Sequence, residues 1–231
     1  MNYLQLAQKV REKCRIIGSG PTAVTNQSAE YTRVLNWVNE AWLEIQRRHE
    51  DWRWMRASAT AVTVNTQYAY SPTADFNLTD FGNWALDYAN GDTFRNYATS
   101  VGPQSEVFMP VIDYDRWRDV YLYGANRYAY SRPIEIALAP DRSLVVGPVP
   151  VDGYTLIGDY YKIPTELSAA TDEPGMPSQY HWAIVYKAMM FYGISEAAPE
   201  VYDEGRMQFD QIIRQLERTQ LRRMAFAGAL A

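Results

Sequence analysis

RPIEIALAPDRSLVVGPVPVDGYTLIGDYYKIPTELSAATDEPGMPSQYHWAIVYKAMMF, residues 132–191, leads from short alternating runs through a proline-rich stretch into an almost wholly apolar one. Ile134, Ile136 and Leu138 alternate with Glu135 and Ala137, the period of a half-buried strand. Ala139-Pro140-Asp141-Arg142 then has proline at the second position of a type I turn, and Leu144-Val145-Val146 reads as the returning strand. Asp152-Gly153 tolerates the positive φ of a tight hairpin turn, so Tyr154 to Ile163 is predicted as a third antiparallel strand in sequence. Beyond Pro174 and Pro177, Ser178 is the expected N-cap of a helix over residues 182–194, whose single charge is Lys187. A helix apolar on every side must be buried on every side.

Working outward, Leu4, Ala7, Val10, Cys14 and Ile17 predict a helix over residues 3–17, ended by Gly18-Ser19-Gly20-Pro21. Those glycines follow a helix rather than a strand and lack a third partner, so they read as a linker and not as a nucleotide loop. Ser28 caps a second helix with Tyr31, Leu35, Val38, Trp42 and Ile45 on one face, expected to pack on the first. Trp52, Trp54 and Met55 mark its exit. Ala57 to Val64 and Tyr68-Ala69-Tyr70, around Asn65-Thr66, read as a β-hairpin, and residues 72–102 as short strands and loops. Pro199 opens a last helix with acids in its first turns and Tyr202, Phe209, Ile213 and Leu216 on its apolar face. The predicted class is α+β, a bundle of N- and C-terminal helices with a central antiparallel β-rich insertion. Its expected divisions are 1–55 (N-terminal helices), 56–165 (β-rich insertion), 166–217 (C-terminal helices) and 218–231 (tail).

Net charge is 22 minus 27, or −5, which excludes a protein whose main work is to wrap phosphates. A lone Cys14 cannot build a disulfide or thiolate metal site within one chain. Polar Gln5, Gln8, Lys9 and Arg11 stand where a signal peptide would be apolar, and no run approaches a membrane span, so the chain is expected to be soluble and unsecreted. Tyrosine (18), tryptophan (7) and an 18-to-4 excess of arginine over lysine are what protein interfaces favour. Residues 72–121 hold eight acids against three arginines. From Arg206 onward five arginines face two acids, and the chain ends in the uncharged octet 224–231.

Candidates for chemistry are few. Asp113-Tyr114-Asp115 with Asp119 precedes Trp117 and Tyr121, and acids opening a helix need no catalytic reason. His49 and His181 sit on predicted helix ends with no ligand partner at metal spacing, as capping or interface residues. No nucleophile, phosphate-loop or metal motif appears, so no enzyme, cofactor or metal is predicted.

The run Arg132-Pro133, Leu144 to Pro150, Tyr154 to Pro164 and Pro177-Ser178-Gln179-Tyr180-His181-Trp182, with the Trp52-Arg53-Trp54 step after a long helix, resembles the tailed-bacteriophage head-to-tail adaptor (connector) family. The resemblance implies a structural virion protein in the neck, assembled in the host cytoplasm. It implies a homo-oligomeric ring, a dodecamer, that joins the portal protein to a tail protein (nozzle, tail-terminator or stopper). Double-stranded DNA would pass through without sequence-specific contact. It also implies that a C-terminal tail, with Arg218, Arg222, Arg223, Met224, Phe226 and Leu230, docks on the portal. Trp84, Tyr88, Asp113, Asp115, Trp117, Tyr121 and Tyr123 are the expected contacts between subunits or with the tail. The alternative is a tail or baseplate component binding cell-surface glycan by stacking sugars on Trp84, Tyr88, Tyr97, Tyr121 and Tyr123.

Overall fold

The apolar run forms α4 (Trp182–Ser195), and no residue from His181 to Gly193 is exposed. The computed structural model describes residues 1–86 and 93–221. Helices from both ends of the chain, α1 (Tyr3–Lys13), α2 (Ala29–Arg47), α4 and α5 (Pro199–Gln220), flank a central β-rich region, an α+β fold. A short α3 (Tyr114–Trp117) lies within that region. The chain divides into two units, Met1–Met55 with Pro164–Ala231, and Arg56–Ile163.

In the helical unit α4 is sandwiched between α5 and α2. Against α5 the helices close until no side chain fits: a Cβ on Gly193 would lie 2.8 Å from Tyr202, and one on Gly205 would lie 2.9 Å from the Tyr186 carbonyl. Toward α2, Tyr192 meets Trp37 edge-on and the Lys187 ammonium reaches Glu44 at 2.6 Å, so the helix's single charge is paired. Only at its end does α4 depart from all-round burial, with Ile194 at 69% exposure. Ion pairs Arg33–Glu196 and Arg48–Glu217 tie the starts of α2 and α5 together and likewise their ends, so these two helices run parallel and α4 runs against both.

Local chemistry sets the helix ends. Asn2 and Gln5 form a reciprocal capping box at α1, and Ser28 caps α2 by accepting from the Tyr31 N–H. The first helix stops at Lys13, because Arg15 takes a positive φ of 55° and turns Ile16 inward. Ile17, expected on its apolar face, is therefore 92% exposed. Ser178 does not cap α4; it opens a 3-10 turn, and His181 occupies the cap position without a side-chain bond to the helix. His181 is buried instead between the Met176 carbonyl, 3.1 Å from Nε2, and the Met1 ammonium, 2.7 Å from Nδ1. Two α2 amides bracket the extended segment after the β region. Gln46 both donates to and accepts from the Thr165 backbone at 3.0 Å, and Asn39 does the same for Leu167 at 2.9 Å.

The β unit holds two antiparallel sheets. One runs β1 (Arg56–Val62), β8 (Tyr154–Lys162), β4 (Phe94–Ala98) and β5 (Val107–Met109), with β3 (Phe81–Trp84) also on β8. The other runs β2 (Ala69–Tyr70), β7 (Leu144–Gly147) and β6 (Glu135–Leu138). β6 and β7 form the expected hairpin, its turn closed by the Arg142 N–H on the Ala139 carbonyl. The two other expected hairpins do not form. β7 and β8 lie in different sheets, because Pro148 and Pro150 offer no donor to extend β7 and the chain crosses over before Tyr154. β1 likewise pairs β8 from Arg56↔Tyr161 to Val62↔Thr155, while β2 pairs β7.

Trp84, Phe76, Phe94, Ile136, Leu144 and Leu156 fill the core of this unit. Gly158 lies directly beneath the Phe94 ring, so that even a Cβ would enter it. Gly158→Ala is expected to destabilise by about 1–3 kcal/mol. Gly153→Ala, whose Cβ would find ordinary contact with Val62 at 3.6 Å, should be close to neutral. Urea unfolding of the two variants beside wild type checks the contrast.

Candidate interaction surfaces

The basic end of the chain is carried by α5. Its buried stripe, Phe209, Ile213 and Leu216, faces the bundle, which leaves Met207, Arg214 and Arg218 outward; Arg206 is exposed beside them. None of these arginines has a carboxylate partner among the described residues, whereas Arg33, Arg48, Arg56 and Arg95 each hold one. The last turn is fastened to the body. Glu217 accepts from Arg48 Nε at 2.7 Å and lies 3.1 Å from His49 Nε2, and Thr219 Oγ1 bonds the Tyr180 hydroxyl at 3.1 Å. Burial opposes the Glu217 carboxylate, but the bonds and charges of Arg48 and His49 outweigh it and hold its carboxyl below the usual range. Leu221 packs on the core just beyond. The end of α5 is thus held to the bundle up to Leu221.

The aromatic candidates separate by burial. Trp84 is buried among Phe76, Phe81 and Phe94, with its indole N–H donating to the Arg142 carbonyl at 2.9 Å. Trp117 is buried between Tyr68 and Tyr114, and Tyr121 packs with it. The Tyr121 hydroxyl donates to Glu135 at 2.8 Å, and burial first, then that carboxylate, pushes its pKa up to about 12. These three expected contact residues are core residues, because each ring completes an apolar layer behind the sheets. Trp84 and Tyr121 accordingly offer no face on which a sugar could stack. Tyr123, at 69% exposure, is a surface residue.

Asp113 caps α3 by accepting from the Asp115 N–H at 2.9 Å. Asp115 and Asp119 flank Arg118 at 3.0 and 3.4 Å, so the acids are spent on a helix start and one guanidinium. Asp113 and Asp115 remain exposed. Among the described residues no three histidine, cysteine or acidic side chains are grouped to hold a metal, and no helix is long and apolar enough to cross a membrane.

A family model, that of the SU10 adaptor protein, matches residues 1–230. The chain belongs to the SU10 adaptor protein family. It is accordingly a phage adaptor, a structural protein. No curated protein matches it. The match embraces the adaptor's helical ends and its β region alike. Tyr88, Arg222, Arg223, Met224, Phe226 and Leu230 of the adaptor lie outside the described residues.

Sequence reasoning missed the Arg48–Glu217–His49 anchor, since nothing in the spacing links residues so far apart. It also missed Arg132, whose guanidinium bonds the Asn96 side chain and backbone at 2.8 Å, while Asn96, wholly buried, donates to the Pro133 carbonyl at 2.7 Å. The Arg132-Pro133 pair thus secures β4 to the stretch before β6. Because the Glu217 pKa is lowered on folding, its stabilisation is present above the unfolded carboxyl value and is lost as pH falls through the folded one. Glu217→Gln is expected to cost about 1–2 kcal/mol at pH 7. That difference should shrink steadily below pH ~4.5 in urea titrations across the acid range.

Proposed function

We propose that this adaptor forms a homo-oligomeric ring, a dodecamer, that joins the phage portal to the tail protein and prolongs the DNA channel at the virion neck. The observation that carries the reading is the family match, which extends over the helical ends and the β region together. Two features support it. A heterologous ring needs two different complementary faces, and the chain supplies a basic helix end and separate acid-rich stretches, residues 72–121 among them. A net charge of −5 also suits a conduit, since a wall that does not hold phosphates lets DNA slide.

In this reading the segment that follows Leu221 docks on the portal. The fastened last turn of α5 holds the residues just before that segment in place, which lowers the ordering cost of docking. Tyr123, Asp113 and Asp115 are exposed and available to a neighbour or to the tail. The test is native mass with and without the portal protein of the same genome, for the full chain and for one ending at Leu221, which keeps the core contact of that residue. The full chain is expected to join the portal in a ring-sized complex and the shortened chain to fail. Absence of binding by both would refute the adaptor ring; equal binding would remove the docking role of the tail.

A further inference from the structure

Two outward helix faces of the helical unit match in charge. On α5, Arg214 and Arg218 stand one turn apart beside Met207, which is 64% exposed, with Asp210 at the edge of the same shallow groove. On α2, a groove over Leu43 carries Glu40, Glu44 and Glu166, with Arg47 at its end. Glu40 has no ion-pair partner among the described residues, and Glu44, though held by Lys187, keeps 52% of its side chain exposed. The α5 face points away from α4, and so does the α2 groove except at Glu44, which reaches back to Lys187 of α4.

From this we infer that the α5 stripe of one copy packs on the α2 groove of the next, an interface that rests on the ring reading above. Neighbours in a many-fold ring are rotated only slightly from one another. Since α2 and α5 run parallel within the chain, α5 of one copy must also run nearly parallel to α2 of its neighbour. In that sense the charges fall into register. With Arg214 opposite Glu40, Arg218 stands opposite Glu44, because each pair of like charges is four residues, about 6 Å, apart. Asp210 then lies opposite uncharged Asn36. An antiparallel pairing, with Arg214 opposite Glu44 and Arg218 opposite Glu40, would put Asp210 level with Arg48 and suits a two-fold dimer, which a ring of many copies does not allow.

The test uses the full chain with portal protein at low salt, reading ring formation by native mass. Arg214→Glu or Glu40→Arg alone is expected to raise the concentration for half-maximal assembly about tenfold, through like-charge contact at every interface. The chain carrying both reversals should recover. So should a 1:1 mixture of the two single variants, whose rings alternate: one interface has the reversed pair and the next the original one. If wild type forms no ring, the ring reading fails and the interface with it. If wild type and both single variants assemble alike, or if neither the double variant nor the mixture recovers, the ring stands and this interface is overturned. Glu40→Cys combined with Arg214→Cys, in a chain whose own Cys14 is buried, provides a second measurement. Mild oxidation of assembled rings should yield a ladder of linked chains, and no ladder would also overturn the pairing.

Discussion

The burial of α4 is the constraint on which the helical unit depends. A helix with one charge in thirteen residues has no solvent face, and the chain meets this by placing α2 on one side and α5 on the other. Gly193 and Gly205 bring α5 to backbone contact, while Lys187 escapes the cost of an unpaired buried charge by reaching Glu44 along the rings of Phe191 and Phe209. Because α4 takes up the inner faces of both neighbours, the outer faces of α2 and α5 are left for other work. Their parallel direction follows from their being partners of the same intervening antiparallel helix.

A second constraint governs the β unit. β8 is the common strand of the larger sheet, bonded along one side to β1 and along the other to β4 and β3 in turn. The packing behind it is close enough that Gly158 is needed where Phe94 crosses. Aromatic rings that would be costly at a surface, Trp84 and Trp117 above all, fill the spaces behind the two sheets. The tyrosine and tryptophan excess of the chain is therefore partly a matter of its own core.

Periodicity made the helices legible. The stripe on α2, the cap at Ser28, Pro199 at a first helical position and the uniform apolarity of α4 are all local signals, and each gave its element directly. The β6–β7 hairpin was legible for the same reason, since Pro140 sets its turn. Local signals misled where pairing was distant. Asp152-Gly153 and Asn65-Thr66 have the chemistry of tight turns, yet the strands on either side of each belong to different sheets. Turn residues permit a reversal of direction without dictating which strand is met afterward. The exposed or buried state of Trp84, Trp117 and Tyr121 was illegible too, because an aromatic residue suits an interface and a core equally well.

The pairing of β1 with β8 also bears on how the chain closes. Arg56, the first residue of the β unit, is in register with Tyr161, two residues before its last. Zipping these strands brings the two ends of a long intervening segment together inside that unit, so the loop-closure entropy is met by sheet formation rather than by helix packing. What α2 and α4 then have to span is the short distance between two adjacent strands. The Gln46 and Asn39 amides complete the return by holding the outgoing segment extended along α2. A tight turn in place of residues 56–163 would offer the helices the same closure, so the bundle asks of the β unit only that its two end strands pair.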